Sequence, residues 1–165
     1  MSQTSLDPIS QLALHIFRAQ QSLITVGDEL TAHWGMTSAK WKVLGAVALS
    51  ETAPTASAIG RIMGMTRQAA TKQISMLVEH GLMTPQDNPL DARAAVYTLS
   101  RTGEATYIAI SDAWAQRIER VRASISDQDI ATALQVLNQL VIQLEMVRQH
   151  PAPKLHITRK PQGTI

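Results

Sequence analysis

The sequence predicts a mainly α fold of six helices, interrupted once by a small β-hairpin between the fourth and fifth helices. Three observations predict it. Apolar residues recur at spacings of three and four over most of the chain, which is the signature of one buried helix face. Residues that cap helices stand in front of these runs, and glycines stand behind several of them. Between Leu82 and Leu99 the pattern switches to alternation around a turn-rich centre. Hydrophobic residues make up 45% of the 165 positions but aromatics only 4%, so the apolar stock is Leu, Ile, Val, Ala and Met. That stock suits helix-on-helix packing better than a sandwich of sheets.

The first helix starts at Asp7-Pro8, an N-cap followed by a proline at the first helical position. Ile9, Leu12, Ile16, Leu23 and Leu30 follow at one-face spacing, and Gly35 ends the segment. Thr37 caps a second helix through Trp41, Leu44 and Val47 to about Leu49. Glu51 to Thr55, with Pro54, reads as a loop, and Thr55 caps a third helix from Ala56 to Met63. Gly64 breaks it, Thr66 caps a fourth from Arg67 to His80, and Gly81 stops that one. Leu82 to Thr84 predicts a short strand, Pro85 to Ala92 a mobile tip, and Ala94 to Leu99 a returning strand with Ala95, Tyr97 and Leu99 on one face. Ser100 caps a fifth helix to about Ser124, and Ser126 or Asp127 opens a sixth. In that last helix Ile130, Leu134, Leu137, Val141 and Leu144 form a heptad-like seam, widened by Ala133, Leu140 and Val147.

Several function classes are excluded or disfavoured. The chain has no cysteine, so disulfide scaffolds, thiolate metal sites and thiol switches are out. No GxSxG elbow, GxxxxGK[ST] loop or HExxH pair occurs, and the five histidines are scattered. The expectation is a protein that is not an enzyme, with no cofactor and no metal. No secretory start is visible, and no uninterrupted apolar run approaches the ~20 residues that span a bilayer. A soluble cytoplasmic chain without a membrane partner is expected.

A net charge of +2 does not identify a nucleic-acid binder, but the distribution says more. Residues 1–34 carry Asp7, Asp28 and Glu29 against Arg18 alone, a net of −2. No acid lies between Glu51 and Glu79, where Arg61, Arg67 and Lys72 stand. A basic segment on a near-neutral chain hints at phosphate contact, and it fits a solvated helix face equally.

The order helix, glycine turn, helix, hairpin sharpens this reading. On the fourth helix Ala70, Ile74, Leu77 and Val78 cluster on one face for burial. Gln68, Lys72 and Ser75 fall on the opposite face, with Thr71 at its flank. Glutamine can read adenine bidentately, lysine reaches guanine or phosphate, and Ser or Thr serves base or backbone. Thr66 and Arg67 sit at the helix N-terminus, where free N–H groups favour phosphate.

These segments resemble those of MarR-type winged helix-turn-helix regulators. Trp34 to Leu44 is similar to the lead into the family's second helix, and Thr66 through Gly81-Leu82 to its recognition helix and exit. Gln86 to Arg93, followed by Leu99-Ser100 and Gly103, is similar to the wing and its return, with Asp91-x-Arg93 as the most specific part. The likeness covers about residues 9–148 in element order. It implies one MarR-type domain over 1–150, with the winged helix-turn-helix at 36–103, dimerisation helices at 7–34 and 104–148, and a flexible basic tail at 151–165. It further implies that Arg93 enters the minor groove while Asp91 orients it. Pro85 departs from the pattern: it stands where the family often has an arginine. Affinity is then expected to be weaker or to rely on Arg61, Arg67 or the basic tail.

The resemblance also implies a homodimer on double-stranded, pseudo-palindromic DNA. Its interface would draw on Ile9, Leu12, Ile16, Ile130, Leu134, Leu137, Val141 and Leu144, although the last five residues also suit packing against the fifth helix. Many family members release DNA when a small aromatic or anionic ligand lodges between the dimerisation helices and the winged module. Here the residues near that junction include His15, His33, Trp34, Trp41 and Trp114, each of a kind more often plain core or surface. The implied role is a sequence-specific transcriptional regulator acting as a repressor. The rival reading is a winged-helix protein-interaction module without DNA readout.

Overall fold

The computed structural model describes residues 6–149. In chain order these are α1 (Pro8–Thr31), a 3-10 turn (Ala32–Trp34), α2 (Ser38–Ala48), α3 (Ala56–Ile62) and α4 (Arg67–Glu79). There follow β1 (Met83–Gln86), β2 (Val96–Leu99), α5 (Arg101–Arg122) and α6 (Asp127–Gln149). The expectation for the tail at 151–165 lies outside the described residues. Two compact units divide between Ile118 and Glu119.

Local chemistry starts each helix of the first unit. The Asp7 carboxylate accepts from the N–H groups of Ile9 and Ser10 ahead of Pro8. Hydrogen bonds from Ser10, its hydroxyl first, hold that carboxyl below the usual range. Thr37, Thr55 and Thr66 cap α2, α3 and α4 through Lys40, Ala58 and Ala69. Gly35, Gly64 and Gly81 take positive φ where the chain turns out of a helix, a conformation that costs glycine least.

The core gathers on α2, whose Val43, Leu44, Ala46 and Val47 are buried. Ile59 of α3, the Ala70, Ile74 and Leu77 stripe of α4, Met83 of β1 and Ile110 of α5 complete it. Trp41 and Trp114 pack with ring centroids 5.4 Å apart. At the α1–α2 joint the Asp28 carboxylate accepts from the Ser38 N–H at 2.7 Å, beside a close approach of Gly27 to Ser38. Ser38, through its hydroxyl and then its N–H, keeps the Asp28 carboxyl below its ordinary value, with Lys42 adding to this.

The hairpin corrects two expectations. Pro85 lies within β1 rather than in the tip, opposite Tyr97, and the returning strand starts at Val96 rather than Ala94. A proline fits here because Tyr97 turns its N–H the other way, to the Pro54 carbonyl at 3.0 Å. Thr55 adds a bridge to Val96, so the loop before α3 flanks the free side of β2. Tyr97 and Leu99 face the core, as the alternation predicts.

In the second unit Ser126 caps α6, accepting from the Asp129 N–H while its hydroxyl donates to the Asp129 carboxylate. No residue of α6 is buried, and Leu134, Leu137, Val141 and Leu144 are exposed. By length and composition alone α6 is long and apolar enough to cross a bilayer, with a mean hydropathy of 1.3 over its most apolar 18 residues. Gln135, Asn138, Gln139 and Gln143 interrupt it, so it holds no unbroken apolar run of that length.

Candidate nucleic-acid interface

The outward face of α4 is built by its inward one. Burial of Ala70, Ile74 and Leu77 fixes the rotation of the helix, and that rotation leaves Arg67, Gln68, Thr71, Lys72 and Ser75 exposed. Thr66, also exposed, spends its hydroxyl oxygen on the Ala69 N–H. Thr71 donates its hydroxyl to the Arg67 carbonyl at 2.9 Å, so toward a ligand it offers lone pairs only. Gln68, Lys72 and Ser75 form a polar strip three and four residues apart, with donors and acceptors facing solvent.

The hairpin carries the second part. Gly81 and Ser100 join its two ends: the Ser100 hydroxyl donates to the Gly81 carbonyl and accepts from the Gly103 N–H. The start of α5 is thereby fastened to the exit of α4. At the tip, Asp91 accepts from both the N–H and the Nε–H of Arg93, at 3.0 and 3.1 Å. The arginine side chain is nevertheless 92% exposed. With Nε engaged, the two Nη groups point a charged fork into solvent. An exposed ion pair of this kind contributes little stability, so its effect is to orient the guanidinium.

The sequence-predicted residues fall into two groups. Thr66, Arg67, Gln68, Thr71, Lys72 and Ser75 come together on α4, while Asp91 and Arg93 come together on the tip. Among the expected dimer residues, Ile9 is exposed and Leu12 and Ile16 half-buried on α1. On α6, Ile130 is half-buried and the other four are exposed. Trp41 of the ligand set has a buried indole N–H with no partner among the described residues. Asn88 and the Pro54-Thr55 support of β2 were not singled out from sequence. Asn88-Pro89-Leu90 repeats the Asx-turn pattern of Asp91-Ala92-Arg93, and that repeat was the available signal.

Comparison with known proteins agrees with this geometry. Residues 34–94 match the model of the MarR family. The uncharacterized protein Rv2011c of Mycobacterium tuberculosis is 25% identical over 142 residues, covering 86% of this chain and 98% of its own. The MarR/EmrR family transcriptional regulator from Acinetobacter sp. ADP1 has a similar fold, with a TM-score of 0.75 at 15% identity, over 86% of this chain and 99% of that one. A mutant MarR from E. coli complexed with operator DNA gives a TM-score of 0.69 at 20% identity, over 80% of this chain and 94% of that one. Residues 34–94 thus match the MarR family, in a chain whose fold is similar to that of MarR-family structures over most of its length.

Proposed function

We propose that this chain is a sequence-specific, double-stranded DNA-binding transcriptional regulator that works in the cytoplasm as a homodimeric repressor. One observation carries the reading. The polar strip Gln68, Lys72, Ser75 stays uncovered while the same helix buries its apolar stripe, and the Arg93 fork stands exposed on the hairpin that follows. In this reading α4 enters the major groove, where Gln68 and Lys72 meet base edges and Ser75 a base or phosphate. Thr66 and Arg67 hold the backbone at the helix N-terminus, Thr71 accepts at the flank, and Arg93, aimed by Asp91, enters the adjacent minor groove. The E. coli neighbour bound to operator DNA supports this use of the fold.

Ile9, Leu12 and Ile16 on α1, and Ile130, Leu134, Leu137, Val141 and Leu144 on α6, supply the dimer surface. A two-fold axis would set two α4 helices about one DNA turn, ~34 Å, apart on a pseudo-palindrome. Release by a small aromatic or anionic ligand would change that spacing through unequal affinity for two states. The unpartnered Trp41 indole N–H is a donor such an anion could use.

The test is selection of bound duplexes from random sequence, followed by titration in rising salt. The expected result is one enriched pseudo-palindrome with steeply salt-dependent affinity. Gln68→Ala should relax the preference at one position in each half-site. Failure to enrich any sequence would favour a winged-helix module that binds proteins without reading DNA.

A further inference from the structure

The wing tip carries a second protruding side chain of opposite chemistry to Arg93. Leu90 is 94% exposed, more than any other large hydrophobic residue described. It is not on a loose strand of chain: its N–H donates to the Asn88 side-chain oxygen at 3.0 Å, just as the Arg93 N–H donates to Asp91 at 3.0 Å. Two Asx turns follow one another, and the third residue of each is the one that stands out. Pro89, between Asn88 and Leu90, further fixes the backbone of the first turn. A leucine held this far into water gains by meeting an apolar surface.

We infer that Leu90 is a specificity-determining residue that lies on the minor-groove floor beside the Arg93 contact and selects A·T over G·C there. The inference rests on the DNA-binding reading above. At the centre of the groove floor adenine presents a C–H, whereas guanine carries the exocyclic amine. An apolar side chain packs on the first. Against the second it meets a bulkier group and covers a donor that it cannot satisfy. Arg93 supplies attraction to the narrow groove, and Leu90 supplies rejection of the wrong pair. Apolar side chains at this kind of surface are an established means of contacting the minor groove.

The experiment uses the full chain and its selected duplex, with the wing-contacted A·T pairs replaced by G·C or by inosine·cytosine. Inosine·cytosine keeps the major-groove face of G·C but lacks the amine. The wild-type chain should bind the G·C duplex about tenfold more weakly, near the low end of a one-pair penalty. It should bind the inosine duplex like the original. Leu90→Ala should reduce the G·C discrimination to under about twofold with unchanged thermal stability, and Leu90→Met should retain it. If Leu90→Ala keeps the full discrimination while Arg93→Ala weakens binding, Leu90 does not select and the inference is overturned alone. If the wild-type chain binds no duplex selectively, the DNA reading itself is overturned and this inference with it.

Discussion

Gly103 lies directly under Leu82: a Cβ built on the glycine would collide with the Leu82 carbonyl oxygen. That oxygen also accepts from the Ser100 N–H at 3.1 Å, so neither strand nor helix can give way without losing a bond. Gly103→Ala is expected to destabilise the fold by about 1–3 kcal/mol or somewhat more, through overpacking against backbone. In thermal unfolding this should appear as a fall of roughly 3–10 °C. An unchanged melting temperature would show that the α5 start can shift freely.

Removing the charge at the wing should separate affinity from stability. Arg93→Ala is expected to cost about 1–3 kcal/mol of duplex binding and leave the melting temperature unchanged, because the pair with Asp91 is exposed. Asp91→Ala should weaken binding less, since the arginine remains but is no longer aimed. Equal affinity of Arg93→Ala and wild type in a binding titration would rule out the wing contact.

A different face is tested by Leu137→Asp. Leu137 lies at the middle of the α6 stripe, and a buried, unpaired carboxylate there opposes helix pairing. The variant should elute as a monomer on size exclusion at micromolar concentration while its circular dichroism stays helical. A dimer that survives would place the interface elsewhere.

Acid should loosen the joint between α1 and α2. The Asp28 carboxyl is held below its unfolded value by Ser38 and Lys42. A depressed carboxylate contributes stability above the unfolded pKa of about 3.9, and loses it as pH falls through the lower folded value. Melting temperature measured from pH 6 downward should therefore fall below about pH 4, and Asp28→Asn should flatten that limb. An identical acid profile in the variant would show that Asp28 is not the group responsible.

What could be read from the sequence was what neighbours in the chain decide. The caps Asp7, Thr37, Thr55 and Thr66 act on N–H groups two or three residues away, so the residue order alone locates them. The rotation of α4 was legible for the same reason: a 3.6-residue period puts Ala70, Ile74 and Leu77 on one side whatever they pack against. Pro85 was misplaced because its fitness for a strand depends on where Tyr97 sends its N–H, and that is decided by Pro54, more than forty residues away in sequence. Asp28 escaped notice because it serves Ser38, ten residues on and across a turn. Leu90 reads as an ordinary loop residue until its exposure and the Asn88 bond are known.

Thr55 does two jobs: its side chain caps α3 and its backbone bridges to Val96 in the wing. The start of α3 and the tip-side end of the β1–β2 ladder are therefore tied to the same residue. The interval between α3 and the hairpin is in effect machined during folding, as the pitch of a screw is cut before it meets the nut. On the proposed DNA-binding reading, a sequence whose grooves do not fit that interval would have to bend to the protein.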